Sequence, residues 1–242
     1  MEDKVKDLLD QVSDSDKYFS MAILSKLKQN SEEALDYLSK IEGNTNMFEA
    51  TLLKGQIYWE SGQNFDLAHQ AFLLAAKGNP HSWMPFYYLG EFYKHPGHSK
   101  QNLDQARKCY QKSFSLNPQS SKAGPALSDI LRVQGKFEEN LNLLNSVSAG
   151  QAGQSSWANL RLGMHYLAVD EPSKAIISLQ NVLRTDGNHL NAWESLADAY
   201  FNRGSYTSAL KAYDKVLTLS DEEGHGLYAQ LQIATIKLKL GK

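Results

Sequence analysis

The sequence is short of the residues and segments that several protein classes require. Cys109 is the single cysteine among 242 residues, which excludes an internal disulfide framework and a multi-cysteine metal site. The longest purely apolar run, Ala71–Ala76, is far shorter than the ~20 residues that span a bilayer. The charged first residues lead into no apolar stretch, so we expect no secretory signal and no membrane association.

Charge of one sign is also missing. The chain has 25 Lys+Arg against 27 Asp+Glu, a net charge of −2, whereas direct nucleic-acid binding usually needs a basic excess. The basic residues are scattered, so we expect no direct contact with nucleic acid. Since glycosylation sequons are absent and cysteine is rare, we expect a reducing compartment, the cytoplasm or alternatively the nucleus.

The residues that are present repeat. Large, small and aromatic positions recur about every 34 residues, and the small member of successive copies is found at Gly55, Gly90, Ser128, Gly163 and Ala197. A large apolar residue follows each of them after three residues, which places both on one face of a helix. Five copies with matched residue types do not arise from composition alone.

Breaks between helices recur as well. Gly204 follows one such helix, where a tight turn needs a residue that tolerates positive φ. The pairs Asn79-Pro80 and Asn117-Pro118 end the helices before them, because proline cannot continue a helix. The pattern therefore predicts pairs of antiparallel helices with small residues where the two backbones approach.

A period near 34 with these residues is typical of the tetratricopeptide repeat (TPR) family. The sequence predicts an all-α fold, a solenoid of stacked helical hairpins in a right-handed superhelix, with about six repeats and a half repeat. The expected units are a short leading helix at 1–14, repeats at 15–47 (degenerate), 48–82, 83–120 (lengthened turn), 121–155 (degenerate), 156–189 and 190–226, and a final first helix at 227–242.

The last predicted helix carries apolar residues for which the sequence offers no partner: Leu231, Ile233, Ile236, Leu238 and Leu240. Isolated solenoids usually end in a polar capping helix. We therefore expect the chain to be a segment of a longer array.

No pattern of catalysis or cofactor binding is found. Phosphate-binding glycine loops and His-Glu-x-x-His are absent. His95 and His98 are expected in a solvated loop, and Cys109 as a packing residue. Glu194 and Asp198 are expected to form charged helix surface. The sequence thus predicts a protein that is not an enzyme and binds no metal or cofactor.

Partner binding is expected on the concave face, which the first helix of each repeat lines. The candidate positions are Leu52, Trp59, Tyr87, Trp157, Leu160, Met164, Leu167, Glu194, Asp198 and Phe201. One hypothesis is a groove for a segment of a partner protein, with Trp59 and Trp157 as anchors. The alternative is that these residues pack within the solenoid itself.

One TPR function is disfavoured by the same positions. TPR domains that clamp the carboxylate of heat-shock chaperones carry Lys and Asn there. Here the corresponding pairs are Leu52/Gln56, Tyr87/Glu91, Pro125/Asp129, Leu160/Met164 and Glu194/Asp198.

Several segments resemble a more specific family. The runs 193–213, 88–93 and 106–116, and the helix that Trp157 enters, are similar to the large TPR subunit of the superkiller complex. That resemblance covers about residues 50–242 and implies a fragment from the N-terminal half of such a subunit. It implies a scaffold with an RNA helicase and a WD40-propeller subunit as partners, and indirectly the RNA exosome, in 3′-to-5′ decay of cytoplasmic mRNA. The alternative is a TPR regulatory domain detached from an enzyme such as a glycosyltransferase.

Overall fold

A computed structural model describes residues 13–41, 47–62, 64–97, 99–150, 155–220 and 223–241. Within these ranges it contains thirteen α-helices and no strand, which confirms the predicted all-α class. The helices are α1 (Asp14–Leu27), α2 (Ser31–Ser39), α3 (Met47–Ser61), α4 (Phe65–Gly78), α5 (Trp83–Lys94), α6 (Leu103–Leu116), α7 (Ala123–Val133), α8 (Phe137–Ser148), α9 (Ser156–Ala168), α10 (Pro172–Thr185), α11 (Leu190–Asn202), α12 (Tyr206–Leu219) and α13 (Glu223–Lys239).

Consecutive helices pack against each other in the pairs α1/α2, α3/α4, α5/α6, α9/α10 and α11/α12. The last helix, α13, begins at Glu223 rather than at Leu227. The leading helix predicted for residues 1–14 lies outside the described residues, apart from its end. His98 lies outside them as well.

Left-handed backbone conformation marks the turns inside several pairs. Gly204 has φ of 79°, as the sequence predicted, and Gly62 and Gly135 have φ of 65° and 69°. Asp170 takes the same place between α9 and α10 with φ of 56°. Gln29, between α1 and α2, has φ of 61°. Glycine reaches this region at little cost, which explains why three of these five turns carry it.

An asparagine stands at each end of α4 and of α6. The side chains of Asn64 and Asn102 accept hydrogen bonds from backbone N–H groups in the first turns of α4 and α6, and such caps satisfy donors that a helix start leaves unpaired. The helices α4 and α6 end immediately before Asn79-Pro80 and Asn117-Pro118. Both predicted stops are therefore confirmed.

The helices of a pair approach closely because a small residue on one faces a large residue on the other. A Cβ added to Gly55, Gly90 or Gly163 would stand within 2.6 Å of a side chain on the paired helix. The three facing residues are Phe72, Tyr110 and Leu179. These contacts explain the recurring small positions of the sequence.

The chain divides into two compact units, residues 1–130 and 131–242, and the division falls inside α7. In the first unit, one core cluster surrounds Leu38 and Ile57, and another surrounds Phe72. In the second unit, clusters form around Leu179 and Tyr213, among others.

The last helix is better packed than the sequence predicted. Ile236 is fully buried and Ile233 packs against the cluster around Tyr213. The expectation that these two residues have no partner was wrong, because α13 lays one face against the preceding pair. Leu231 and Leu238 remain exposed.

The described ranges contain neither a membrane-spanning helix nor a metal-binding cluster. None of the helices seen there has the length and apolar character needed to cross a bilayer. No cluster of three or more His, Cys, Asp or Glu side chains suited to a metal ion was found among the same residues.

Candidate functional site

The predicted concave residues differ widely in exposure. Leu52 is 4% exposed and belongs to the core cluster around Phe72, so its side chain packs inside the first unit. Met164, in contrast, is 56% exposed. The first position therefore supports the helix pair, whereas the second presents an apolar surface.

Trp59 lies in an aromatic cluster of the first unit. Its ring centroid is 5.5 Å from that of Phe65, 6.2 Å from that of Phe92 and 5.2 Å from that of His95. The imidazole of His95 also packs against Phe65 and accepts a hydrogen bond from the N–H of Gly97. The sequence placed His95 in a solvated loop, but its ring is half-buried against these aromatic residues.

Tyr87 is half-buried among other aromatic rings. Its ring lies 6.2 Å from Trp83 and 6.1 Å from Tyr110, and the ammonium of Lys122 stands 5.8 Å from its centroid. Burial, with the nearby charge of Glu91, raises the pKa of Tyr87 to about 12. The phenol therefore stays neutral at physiological pH.

Three candidates of α9 are half-buried. Trp157 packs against the cluster of Leu144 and Leu162. Leu160 and Leu167 pack against the cluster around Leu179. Much of the apolar character of this helix is therefore used within the second unit.

Asp198 holds together two tyrosines of the second unit. Its carboxylate accepts hydrogen bonds from the hydroxyls of Tyr213, at 2.5 Å, and Tyr228, at 3.0 Å. Burial raises the pKa of Asp198; the negative charge of Glu194 adds to this, and the two hydrogen bonds oppose it. The prediction that Asp198 forms charged helix surface was wrong, since the carboxylate is half-buried.

The same arrangement occurs in the first unit. The hydroxyl of Tyr110 donates to Glu91 at 2.8 Å, and both residues occupy the repeat positions that Tyr213 and Asp198 occupy. Hydrogen bonds to a charged acceptor stabilise folding more than neutral ones do. In these two repeats, the acidic residue that follows the small position therefore links the two helices by a hydrogen bond.

Phe201, the last candidate, is half-buried at the C-terminal end of the second unit. Its ring lies 5.8 Å from that of Tyr206, and the ammonium of Lys239 stands 4.5 Å from its centroid. This cation–π contact links α11 to α13.

A pocket of about 350 Å³ opens in the second unit between α8, α9 and the end of α7. Met164 is the one predicted candidate that lines it. The remaining lining residues are Arg132, Phe137, Asn140, Leu141, Leu144, Arg161, His165 and Ala168.

The polar side of this pocket is basic. Arg132, Arg161 and His165 line it, and no carboxylate is among the lining residues. The guanidinium of Arg161 stands 5.5 Å from the ring centroid of Trp157, a contact that holds the charge in place. The electrostatics therefore favour an anionic group over a cation.

Asn140 adds an unusual feature. Only 8% of this residue is exposed, and its Oδ1 is buried without a hydrogen-bond partner. Buried polar groups nearly always have partners, so the unpaired oxygen carries a cost that a ligand relieves if the side chain rotates into the pocket.

Sequence reasoning missed most of these residues. Arg132 and Arg161 counted there as scattered basic sites. Arg161 and His165 are one helical turn apart on α9, a spacing that could have indicated a shared face. Arg132 and Asn140 come from other helices, so only the packing brings them to the pocket.

Cys109 is half-buried against the cluster around Phe72. Burial raises the pKa of its thiol to about 11. A thiol with so high a pKa is a poor nucleophile at neutral pH, in line with the packing role that the sequence predicted.

Comparison with known proteins gives the family. Two tetratricopeptide repeat models match residues 160–223 and 98–120. The chain is 34% identical over 232 residues to tetratricopeptide repeat protein 37 of Xenopus laevis, which covers 93% of the chain and 14% of that protein. It is 34% identical over 207 residues to superkiller complex protein 3 of Homo sapiens, covering 84% of the chain and 13% of that protein.

The chain thus spans about a seventh of the length of these relatives. Among solved structures, the Cut9–Hcn1 hetero-tetramer of the APC/C matches with a TM-score of 0.61 and 19% identity, covering 96% of the chain and 44% of that one. This likeness concerns the fold alone. The helix pairs and the matching repeat models show that the chain is a tetratricopeptide repeat protein. Its relatives show that it is homologous, over most of its length, to part of the superkiller complex protein 3 family.

Proposed function

We propose that the chain is a protein–protein interaction scaffold of the superkiller type and supports exosome-dependent 3′-to-5′ decay of mRNA in the cytoplasm. The observation that carries the proposal is the 34% identity over 84% of the chain to superkiller complex protein 3 of Homo sapiens. The stacked helix pairs support it, since such arrays bind partners on surfaces that several repeats share.

The partners follow from the same resemblance. They are an RNA helicase and a WD40-propeller subunit, with the RNA exosome reached indirectly. The balanced charge of the chain favours protein partners over direct contact with RNA. The alternative of a TPR domain detached from an enzyme has no comparable relative in its favour.

Affinity purification of the endogenous protein, followed by mass spectrometry, tests the proposal. We expect a helicase and a propeller subunit in stoichiometric amounts. Recovery of neither, with a covalently linked catalytic domain in the full-length gene product, would favour the alternative.

A further inference from the structure

The basic pocket of the second unit combines three features that converge on one ligand chemistry. Arginine and histidine side chains line one part, exposed apolar side chains line another, and a buried amide without a partner stands in the wall. We propose that this pocket binds an acidic segment of a partner protein, with a carboxylate at the arginines and an apolar side chain beside Phe137 and Met164. The proposal rests on the scaffold function and specifies the chemistry of one partner segment.

The charged residues that line the pocket all carry positive charge. Arg132 and Arg161 come from different helices and line the same pocket, and none of the lining residues carries a negative charge. A guanidinium group attracts a carboxylate and can bind it with paired hydrogen bonds, and two such groups line this pocket. Trp157 is a positioning residue, because its ring supports the guanidinium of Arg161.

The apolar side of the pocket argues for a peptide rather than a free anion. Phe137 is 66% exposed and Met164 is 56% exposed, although both are large apolar side chains. Covering them releases water from apolar surface, which favours binding. A volume of about 350 Å³ holds one or two side chains and lies at the low end for ligand pockets.

Asn140 provides the independent indication of a ligand. Its Oδ1 lacks a hydrogen-bond partner although the residue is more than nine-tenths buried. Because this oxygen is covered in the free protein, the side chain has to rotate toward the pocket before a backbone N–H of a bound segment can supply the partner. The unpaired amide lowers the stability of the free protein, and a hydrogen bond formed on binding removes that cost.

RNA is the other polyanion to consider, and the pocket disfavours it. Nucleic-acid grooves present a continuous basic track with aromatic rings for stacking. Here three basic residues line one small pocket whose remaining wall is aliphatic apart from Phe137 and Asn140. The arrangement also differs from the chaperone clamp, since Arg161 and Asn140 occupy neither of the positions that the clamp uses.

A peptide array gives the first test, with the complete 242-residue chain as the probe protein. Its peptides alternate Asp or Glu with Leu, Phe or Met at spacings of one to three residues, and each has a counterpart with Asn or Gln. We expect binding to acidic peptides that contain apolar residues and none to the neutral counterparts. Absence of any bound acidic peptide, or equal binding of the neutral set, would overturn the proposal.

Fluorescence anisotropy with the best peptide and four chains gives the second test. Arg161→Glu is expected to weaken binding at least about tenfold, whereas Arg203→Glu, which makes the same charge change outside the pocket, leaves it within about twofold. Asn140→Leu is expected to weaken binding but raise the melting temperature, because it removes a buried unpaired amide. A purely structural Asn140 would lose stability when substituted, with binding reduced only through unfolding.

Three further outcomes are decisive. A labelled single-stranded oligouridine that binds more tightly than the peptide, and loses affinity with Arg161→Glu, would overturn the peptide proposal in favour of RNA. If Arg161→Glu in the endogenous protein keeps every partner while the peptide does not bind, the pocket proposal fails and the scaffold function stands. Loss of all partners by the unmodified protein would instead refute the scaffold function.

Discussion

The ring of Tyr110 occupies the space that a side chain at Gly90 would need. A Cβ added to Gly90 would lie 2.5 Å from that ring, well inside van der Waals contact. The hydroxyl of the same tyrosine donates to Glu91, the next residue of α5. One pair of positions therefore sets both the distance between α5 and α6 and their polar link.

Gly90→Ala is expected to lower the free energy of unfolding by about 1–3 kcal/mol, because the fully buried Tyr110 has no room to move aside. Urea denaturation followed by circular dichroism measures the change. Gly78→Ala is the control: a Cβ there meets nothing within 4 Å, and alanine gains up to about 1 kcal/mol in helix propensity. Equal effects of the two substitutions would refute the close contact.

Asp198 makes folding stability depend on pH. Its pKa is raised in the folded state, so the folded chain binds this proton more tightly than the unfolded chain. The contribution is complete below the unfolded pKa of about 3.9 and is lost as the pH rises through the folded pKa. The stability of the unmodified protein relative to Asp198→Asn is therefore expected to fall as the pH rises above about 4.

Urea denaturation of both proteins at several pH values gives this difference. Asp214→Asn, at an exposed position of α12, is the control variant. The same pH dependence relative to both variants would show that Asp198 is not the group responsible.

Cys109 is expected to resist thiol reagents. With its pKa raised to about 11, against about 8.5 in an unfolded chain, little thiolate exists at pH 8. The greater nucleophilicity of a high-pKa thiolate offsets part of this difference. We expect Ellman's reagent to react at least about tenfold more slowly with the native protein than with the protein in urea, and equal rates would contradict a buried thiol.

Trp157 and Met164 are expected to contribute unequally to the stability of the fold. Trp157→Ala removes a half-buried ring from the cluster of Leu144 and Leu162 and should cost about 1–3 kcal/mol. Met164→Ala removes a largely exposed side chain and should change stability by less than about 0.5 kcal/mol. Thermal unfolding by calorimetry measures both, and an unchanged melting temperature for Trp157→Ala would return this residue to the set of exposed anchors.

The repeat pattern predicted the fold because the residues that break and join helices act locally. Gly204 needs positive φ whatever surrounds it, and Asn79-Pro80 stops a helix without help from other elements. Small positions such as Gly90 signal close approach because a large partner follows each of them 16 to 20 residues later in the sequence.

The candidate site was harder to predict, because exposure depends on which neighbours cover a helix face. The sequence predicts both Leu52 and Met164 for the concave face, yet one is buried and the other exposed. Asp198 was read as surface because its tyrosine partners lie on two later helices. The pocket joins Arg132, Asn140 and Arg161 from three helices, and no spacing in the sequence reports that proximity.

Co-migration of the endogenous protein with its partners tests the scaffold function most directly. In size-exclusion chromatography of a cell extract at physiological salt, followed by quantitative mass spectrometry, we expect it in one peak with a helicase and a WD40-propeller subunit at constant ratios. Elution as a separate species, with the helicase and the propeller protein in other fractions, would contradict the superkiller-type scaffold.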